Sequence, residues 1–156
     1  MPPFSDPRLP HGHGGFPIEV SIPSDVRFIE GVVGLVTRQC VERHLSPTDC
    51  NLTVPVALTE ALSNAILYGN ARDSSKSVTL RATLNERDLV LEVVDEGTGF
   101  DMDACTIDPT SPDNLDREDG RGLYLMRALM DRVERYTDGG NVVRLTLHRR
   151  LTLHRK

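Results

Sequence analysis

The sequence lacks a long apolar segment, a signal-like N-terminus and cysteines in a paired or metal-binding arrangement. No apolar run approaches the ~20 residues that span a bilayer, and no charged leader precedes an apolar stretch. Cys40, Cys50 and Cys105 are odd in number and without metal-ligand spacing, so we expect reduced thiols and assign them no role. These absences predict a cytoplasmic protein that does not contact a membrane.

The sequence also lacks an excess of positive charge. Its 18 Lys and Arg residues are outnumbered by 23 Asp and Glu, which gives a net charge of −5. This balance argues against direct binding of nucleic acid, so any link to transcription should run through protein contacts. The 156 residues, 38% of them hydrophobic, suit one soluble domain with one core. We expect a flexible leader over 1–15, the domain over 16–149 and a basic tail over 150–156.

Hydrophobic periodicity predicts alternating helices and strands. The expected strands are 16–22, 78–84 with 89–94 as a hairpin, and 134–137 with 142–147 as a second hairpin. The first expected helix runs from a Ser24 N-cap to about residue 43, and its residues at helical spacing are Val26, Ile29, Val33, Val36, Thr37 and Cys40. The second runs from a start signal at 46–49 to a left-handed end at Gly69 or Asn70. The third runs from 123 to 133, where Val133 completes the apolar stripe. Pro55 either kinks the second helix or places its regular start near Val54.

The second helix carries a possible chemical site. Glu60 and Asn64 are four residues apart and so share one side, while Leu58, Ala61 and Leu62 belong to an apolar stripe on another. Asn offers a neutral oxygen to a hard cation such as magnesium, and Glu can accept a proton. An amphipathic helix can also carry this pair by chance, so the pair alone does not establish a site.

Two glycine-containing segments follow. Asp95 ends a predicted strand, where its carboxylate can accept a hydrogen bond from an exocyclic amine, and Gly97 and Gly99 let the backbone approach a flat base. The alternative for this segment alone is a simple Asp-x-Gly turn. Gly120, Arg121 and Gly122 precede Leu123 at a helix start, where unpaired N–H groups stabilise a phosphate, although a flexible joint would look the same.

The connection over 100–119 is rich in acidic residues and has little periodicity. A compact domain tolerates so long a connection mainly as a functional lid. We favour a solvated mobile loop over a direct partner-binding role for its charges. In the tail, Leu145 to Arg149 is repeated as Leu151 to Arg155, and the second copy should fray or pair with a neighbouring chain.

The three motifs, Glu-x-x-x-Asn, Asp-x-Gly-x-Gly-Phe-Asp and Gly-x-Gly-Leu-x-Leu, occur in this order in the chain. They resemble the nucleotide-binding boxes of the GHKL ATPases, a group that includes histidine kinases, gyrase and MutL. The residues of the first and third boxes are most similar to those of the small bacterial anti-sigma-factor serine kinases. The resemblance covers about residues 16–149.

The resemblance implies an α+β fold, a two-layer α/β sandwich of the Bergerat type with a mostly antiparallel mixed sheet covered on one face by about three helices. It implies an ATP-dependent serine/threonine protein kinase that acts as an anti-sigma factor and phosphorylates an anti-anti-sigma antagonist. Its cofactors would be ATP and Mg²⁺, its partners the antagonist, a sigma factor and a second copy of the chain in a homodimer formed through the first strand and helix. Glu60 would be the general base and Asn64 the magnesium ligand, Asp95 would read adenine, and Gly97, Gly99 and residues 120–123 would line the nucleotide.

A second hypothesis is an ATP-gated binding switch that transfers no phosphate. It rests on two departures from the family pattern, Tyr68 in place of a common His and Val142 where many members have a Thr that contacts adenine. A histidine-kinase module is disfavoured because so short a chain shows no phospho-accepting helical hairpin or sensor segment. Function like that of the Hsp90 chaperones or of MutL would need further domains.

Overall fold

The computed structural model describes residues 16–97 and 118–149. In chain order the elements are β1 (Ile18–Pro23), a 3-10 turn (Val26–Phe28), α1 (Ile29–Glu42), a π-helical turn (Asp49–Thr53), α2 (Val54–Asn64), a second π-helical turn (Ala65–Gly69), β2 (Ser77–Leu84), β3 (Asp88–Asp95), α3 (Glu118–Leu129), β4 (Arg132–Thr137) and β5 (Asn141–His148). The predicted leader, the tail, Cys105, Gly99 and the connection as far as residue 117 lie outside the described residues.

The five strands form one sheet in the order β1-β2-β3-β5-β4. All four pairings are antiparallel, so the mixed sheet that the resemblance allowed has no parallel pair among the described strands. The β2–β3 hairpin occupies the middle, as predicted. The last residue of β3, Asp95, lies directly opposite Asn141, the first residue of β5.

The three helices cover one face of this sheet. Alternate residues of β1, β2 and β3 are buried because successive side chains of a strand point to opposite faces. Helix α2 packs on both α1 and α3 and contributes the fully buried Leu58 and the 1% exposed Leu62. The result is the two-layer α+β arrangement that the sequence predicted.

The central helical segment, Asp49–Gly69, has the bounds that the sequence predicted, but it contradicts the expectation that no stretch is long and apolar enough to span a bilayer. It spans 21 residues, and by length and mean hydropathy alone it could cross a membrane. In this structure 56% of that apolar window is buried inside the protein, which is the position of a core helix. Its start agrees with the prediction, since Ser46 Oγ accepts a hydrogen bond from Asp49 N (3.1 Å). Pro55 lies in the first turn of α2, where a missing N–H costs little.

The prediction that Ser24 caps the first helix was wrong. Asp25 caps the 3-10 turn that precedes α1, and its side chain accepts from Arg27 N, whereas α1 itself starts after Phe28 without a side-chain cap. Ser24 Oγ instead donates to Lys76 O (2.9 Å) and holds the end of β1 against the start of β2. Val26 is therefore outside the buried stripe of α1 and is 49% exposed, and Thr37 is only half-buried.

The predicted left-handed end of the second helix was also wrong in position. Asn70 has φ −94°, and the residues with positive φ are Ala71 and Arg72. The helix closes with a bond from Arg72 N to Ile66 O (2.8 Å). Asn70 keeps an ordinary backbone conformation while its side chain bonds to other elements.

The third helix lies further toward the N-terminus than predicted. It runs over Glu118–Leu129, so the glycines are inside it and Val133 is outside, in β4. The chain leaves the helix because Asp131 N donates to Thr146 O (2.9 Å) and Arg132 then pairs with Thr146. Sheet pairing at this edge overrides the helical spacing that Val133 shares with α3.

Candidate nucleotide site

Glu60 and Asn64 lie one turn apart on α2 and face α3, at Gly122. A Cβ placed on Gly122 would be 2.7 Å from Glu60 Oε1 and 3.4 Å from Asn64 Nδ2. Asn64 is 5% exposed and Glu60 is half-buried. The absent side chain at position 122 therefore leaves room for both polar groups between the two helices, and the first and third sequence motifs meet here.

The C-terminal end of the same helical segment touches the second motif. A Cβ on Gly69 would overlap the Asp95 carboxylate, and a Cβ on Gly97 would overlap Gly69 O. Only residues without side chains allow the helix end and the strand end to approach so closely. The central helix therefore contacts both other motifs, Asp95 and Gly97 at one end and Gly122 nearer the middle.

Asp95 is buried at the end of β3, with 3% of its surface exposed. Its Oδ1 accepts hydrogen bonds from Asn141 Nδ2 and from Gly97 N, both at 2.9 Å. Burial raises the pKa of Asp95, and the bonds from Asn141 and Gly97 act against that rise. The other oxygen, Oδ2, is oriented toward Gly69. As a carboxylate oxygen it can accept a hydrogen bond from a donor group of a ligand.

Asn141 bonds to Asp95 in the candidate site, and the sequence analysis did not single it out. It is 7% exposed, and its Nδ2 also donates to Gly97 O (3.0 Å), so it holds both ends of the Asp95–Gly97 turn. Val142, the position singled out in the sequence, is the next residue along β5 and points to the opposite face of the sheet. Only the strand register, with Asn141 opposite Asp95, identifies the residue that faces the site.

The glycine-containing start of α3 differs from the prediction in its geometry. Gly120, Arg121, Gly122 and Leu123 lie within the first two turns of α3, which is already helical at Glu118. Leu123 is 3% exposed and packs into the core, where it anchors these turns. Gly122 is the position at which a Cβ would meet Glu60 and Asn64. The role of residues 120–123 in holding phosphates stays a prediction.

The donor set at Glu60 and Asn64 is compatible with Mg²⁺. Both groups offer oxygen, which is the ligand that magnesium prefers, and magnesium is commonly held by one or two protein groups together with water and substrate phosphates. Within residues 16–97 and 118–149, no cluster of three or more His, Cys, Asp or Glu is placed to hold a metal unaided. A metal at Asn64 would therefore depend on a phosphate-bearing ligand.

Cys40 and Cys50, the two cysteines within the described ranges, are free and buried. Burial raises the pKa of Cys40 to about 12 and also raises that of Cys50. Both thiols are therefore protonated and unreactive at neutral pH, which agrees with the expected reduced cysteines.

A two-layer sandwich whose central helix joins a Glu/Asn pair to a buried strand-end aspartate is the arrangement of a GHKL-type ATP-binding domain. Residues 22–147 match the family model described as the histidine kinase-like ATPase domain. The chain therefore belongs to the histidine kinase-like ATPase domain family, as its sequence motifs predicted.

Proteins with similar sequences carry names that are more specific than that of the family. The chain is 33% identical over 134 residues to "Serine-protein kinase RsbW" of Halalkalibacterium halodurans, with 83% of this chain and 81% of the relative covered. It is 31% identical over 134 residues to the protein of the same name from Bacillus subtilis, covering 83% of each. It is 30% identical over 102 residues to "Anti-sigma F factor" of Clostridium acetobutylicum, covering 64% of this chain and 70% of the relative.

A solved structure has the same fold. It contains the RsbU and RsbW domains of Rv1364c from Mycobacterium tuberculosis, and it superposes with a TM-score of 0.59 at 18% identity over 86% of this chain. The chain spans about a third, 32%, of that longer protein. At this identity the likeness supports the fold alone.

Proposed function

We propose that this protein is an ATP-dependent serine/threonine protein kinase that acts as an anti-sigma factor and phosphorylates an anti-anti-sigma antagonist in a partner-switching system. The observation that carries the proposal is that one helix presents Glu60 and Asn64 at Gly122 while its end lies against Asp95. The relatives named serine-protein kinase and anti-sigma factor favour this function over the ATP-gated switch without phosphate transfer.

In the proposed reaction the hydroxyl oxygen of a serine or threonine of the antagonist attacks the γ-phosphorus of ATP. The bond from that phosphorus to the bridging oxygen breaks and ADP leaves, while Glu60 accepts the hydroxyl proton. Asp95 selects adenine because its carboxylate accepts a hydrogen bond from the exocyclic amine, and Gly97 and Gly99 let the backbone approach the base. Phosphoryl transfer depends chiefly on positioning, which suits groups fixed on helices of a packed core.

The phosphates would lie near Asn64 and the first turns of α3, at Gly120, Arg121, Gly122 and Leu123. Mg²⁺, when bound there, would neutralise phosphate charge. Asn64 would be its protein ligand.

The proposal extends to a soluble, cytoplasmic homodimer. Strand β1 is an edge of the described sheet, which leaves one side of its backbone available for a second copy of the chain. A single domain over 16–149 would contain the whole catalytic apparatus. We propose protein partners only, with no direct contact to nucleic acid.

The test is transfer of labelled γ-phosphate to candidate antagonist proteins. Glu60→Ala should keep ATP affinity within about threefold and lower the transfer rate by ~10²–10⁴, the usual contribution of a general base. Glu30→Ala, an exposed glutamate in the first turn of α1, is the matched control and should transfer normally. Normal transfer by Glu60→Ala would remove Glu60 from this role, and binding of ATP without any transfer by the unmodified protein would favour the gated switch.

A further inference from the structure

Asn70, the residue that follows the central helical segment, is completely buried, with 0% of its surface exposed. Its Nδ2 donates to Ser24 Oγ (2.7 Å) and to Ser77 O (2.9 Å), and its Oδ1 accepts from Glu96 N (2.7 Å). One amide thereby joins the end of the helix to the region after β1, the start of β2 and the turn after β3. Both amide protons and the carbonyl oxygen are used, so no polar atom of this side chain is left without a partner.

The bond to Glu96 N acts on the Asp95–Gly97 turn. Glu96 N belongs to the peptide that joins Asp95 to Glu96, so fixing it fixes the backbone of Asp95. Gly69, the neighbour of Asn70, is the residue whose missing side chain leaves room for the Asp95 carboxylate. Two consecutive residues thus supply the space for Asp95 and the anchor for its backbone.

A buried, satisfied asparagine can be purely structural, and the chain offers a comparison. Asn85 Oδ1 accepts from Arg87 N (2.7 Å) and Asp88 N (2.9 Å) in the hairpin turn at the far end of the sheet. Those bonds are local and exposed, and they stabilise only their own turn. The bonds of Asn70 to Ser24 and Glu96 instead join segments that are distant in sequence and lie beside Asp95.

We propose that Asn70 is a specificity-determining positioning residue, which fixes the Asp95 turn against the central helix so that the protein distinguishes adenine from guanine nucleotides. This inference rests on the proposed adenine-nucleotide function. Adenine presents an amine donor where guanine presents a carbonyl acceptor, so a carboxylate accepts from the first and repels the second. The discrimination holds only while the Asp95 oxygens keep their position, because hydrogen bonds weaken steeply with misalignment.

The experiment compares the dissociation constants of Mg-ATP and Mg-GTP by calorimetry in the unmodified protein and in Asn70→Ala. We expect Asn70→Ala to weaken ATP binding about tenfold or more. The dissociation constant of Mg-GTP divided by that of Mg-ATP should fall by a similar factor. At saturating ATP its rate of phosphate transfer should change less than threefold, because Asn70 touches no reacting group. Asn85→Ala, the matched control, should lower stability without changing the ratio.

Ser24→Ala is a second variant for the case in which Asn70→Ala does not fold. It removes one partner of the Asn70 amide and leaves the bond to Glu96, and we expect the ratio to fall at least threefold. An unchanged ratio in a folded variant, whatever its stability, would overturn the role of Asn70 and leave the kinase proposal intact. If the unmodified protein binds neither nucleotide, the kinase proposal fails and this inference fails with it.

Discussion

At Asp95 the stability of the fold and the proposed binding of adenine favour different protonation states of the same buried carboxyl group. Its pKa is raised by burial in spite of hydrogen bonds from Asn141 and Gly97, so the ionised form is held at a cost to the fold. The proposed adenine contact favours that ionised form. Because Oδ1 already accepts from Asn141 and Gly97, a proton on Oδ2 would present a donor to the donor amine of adenine. Asp95 should therefore contribute to binding more than to stability.

Asp95→Asn tests this directly. The substitution keeps the shape and leaves an oxygen to accept from Asn141 and Gly97, but it removes the charge and puts an amide where the adenine amine should bind. ATP affinity should fall about 10- to 100-fold, as expected for loss of a hydrogen bond to a charged group. Calorimetry measures the affinity, and Asp88→Asn at the first residue of the same strand is the control. Equal affinity in Asp95→Asn would exclude Asp95 from base recognition.

The unmodified protein and Asp95→Asn should also differ in how their unfolding free energies depend on pH. A carboxyl whose pKa is higher in the folded than in the unfolded state stabilises the fold at pH values below its unfolded pKa, and this contribution is lost as the pH rises through the folded value. Asp95→Asn does not titrate there. The unfolding free energy of the unmodified protein minus that of Asp95→Asn should therefore decrease from acidic to neutral pH, as measured by urea titration. A difference that increases with pH would contradict the raised pKa.

At this scale the sequence predicted a role for Asp95 but did not predict its hydrogen-bond partner Asn141. A strand end beside Gly97 is visible in the order of residues. The contact between Asp95 and Asn141, which are 46 positions apart in the sequence, depends on the register of β3 and β5. The sequence analysis named the neighbouring Val142 as a departure from the family pattern, and a shift of one residue in a strand moves a side chain to the other face. Asn70 was read only as a helix terminator, since its bonds to Ser24 and Glu96 are visible only in the tertiary structure.

Helices α2 and α3 meet where Gly122 faces Glu60 and Asn64, and their spacing depends on the missing side chain. Gly122→Ala adds a methyl group 2.7 Å from Glu60 Oε1, so the carboxylate must move. Helix propensity favours alanine by ~0.5–1 kcal/mol, so we expect a folded protein with stability close to normal. Phosphate transfer should fall about tenfold or more, with a smaller effect on ATP affinity, in the labelled-phosphate assay.

Gly34→Ala is the matched control for this substitution. Gly34 lies in α1 with open space around its Cα, and alanine there should stabilise the helix without changing transfer. If Gly122→Ala transferred phosphate as well as Gly34→Ala, the spacing of α2 and α3 would not determine the position of Glu60.

The elements themselves were predictable in kind but not at every boundary. The alternation in β2 and β3 predicted both strands almost to the residue, because each pattern is local. The apolar stripe of α1 predicted the end of that helix but not its start at Ile29. Val133 was assigned to a helix since three apolar positions precede it at helical spacing, and only the pairing of Arg132 with Thr146 in the sheet shows otherwise. Ser24 was a reasonable cap by residue type, but its hydroxyl bonds to Lys76 O on a neighbouring strand.

For the whole molecule, the proposed homodimer predicts that the β1 edge is buried between two chains. Val26 follows β1 and is 49% exposed, so Val26→Asp should weaken the dimer at least tenfold by placing a charge in an apolar contact. Leu52→Asp is the control, because Leu52 is 51% exposed in the segment that leads into α2. Sedimentation velocity over a range of concentrations measures the effect. Dissociation by Leu52→Asp and not by Val26→Asp would place the interface elsewhere.

The overall architecture was predicted more securely than any single boundary. Three motifs in a fixed order restrict the fold because helix, strand end and glycine turn must converge, and errors of a few residues at Val133 or Ser24 leave that convergence unchanged. The bounds of the segment Asp49–Gly69 were predicted, and of the two alternatives for Pro55 the structure confirms a regular helix that starts at Val54. The sequence analysis did not predict that the segment is long and apolar enough to span a membrane by length and mean hydropathy alone.

The central helix carries Leu58 and Leu62 into the core and Glu60 and Asn64 into the site. Its amides can exchange with deuterium only when the core itself opens, because the same turns hold both sets of side chains. Bound nucleotide should consequently slow exchange along the helix from Leu58 to Asn64 by the same factor by which it lowers the unfolded population. The exchange rates of these amide protons would therefore report both nucleotide binding and the stability of the core.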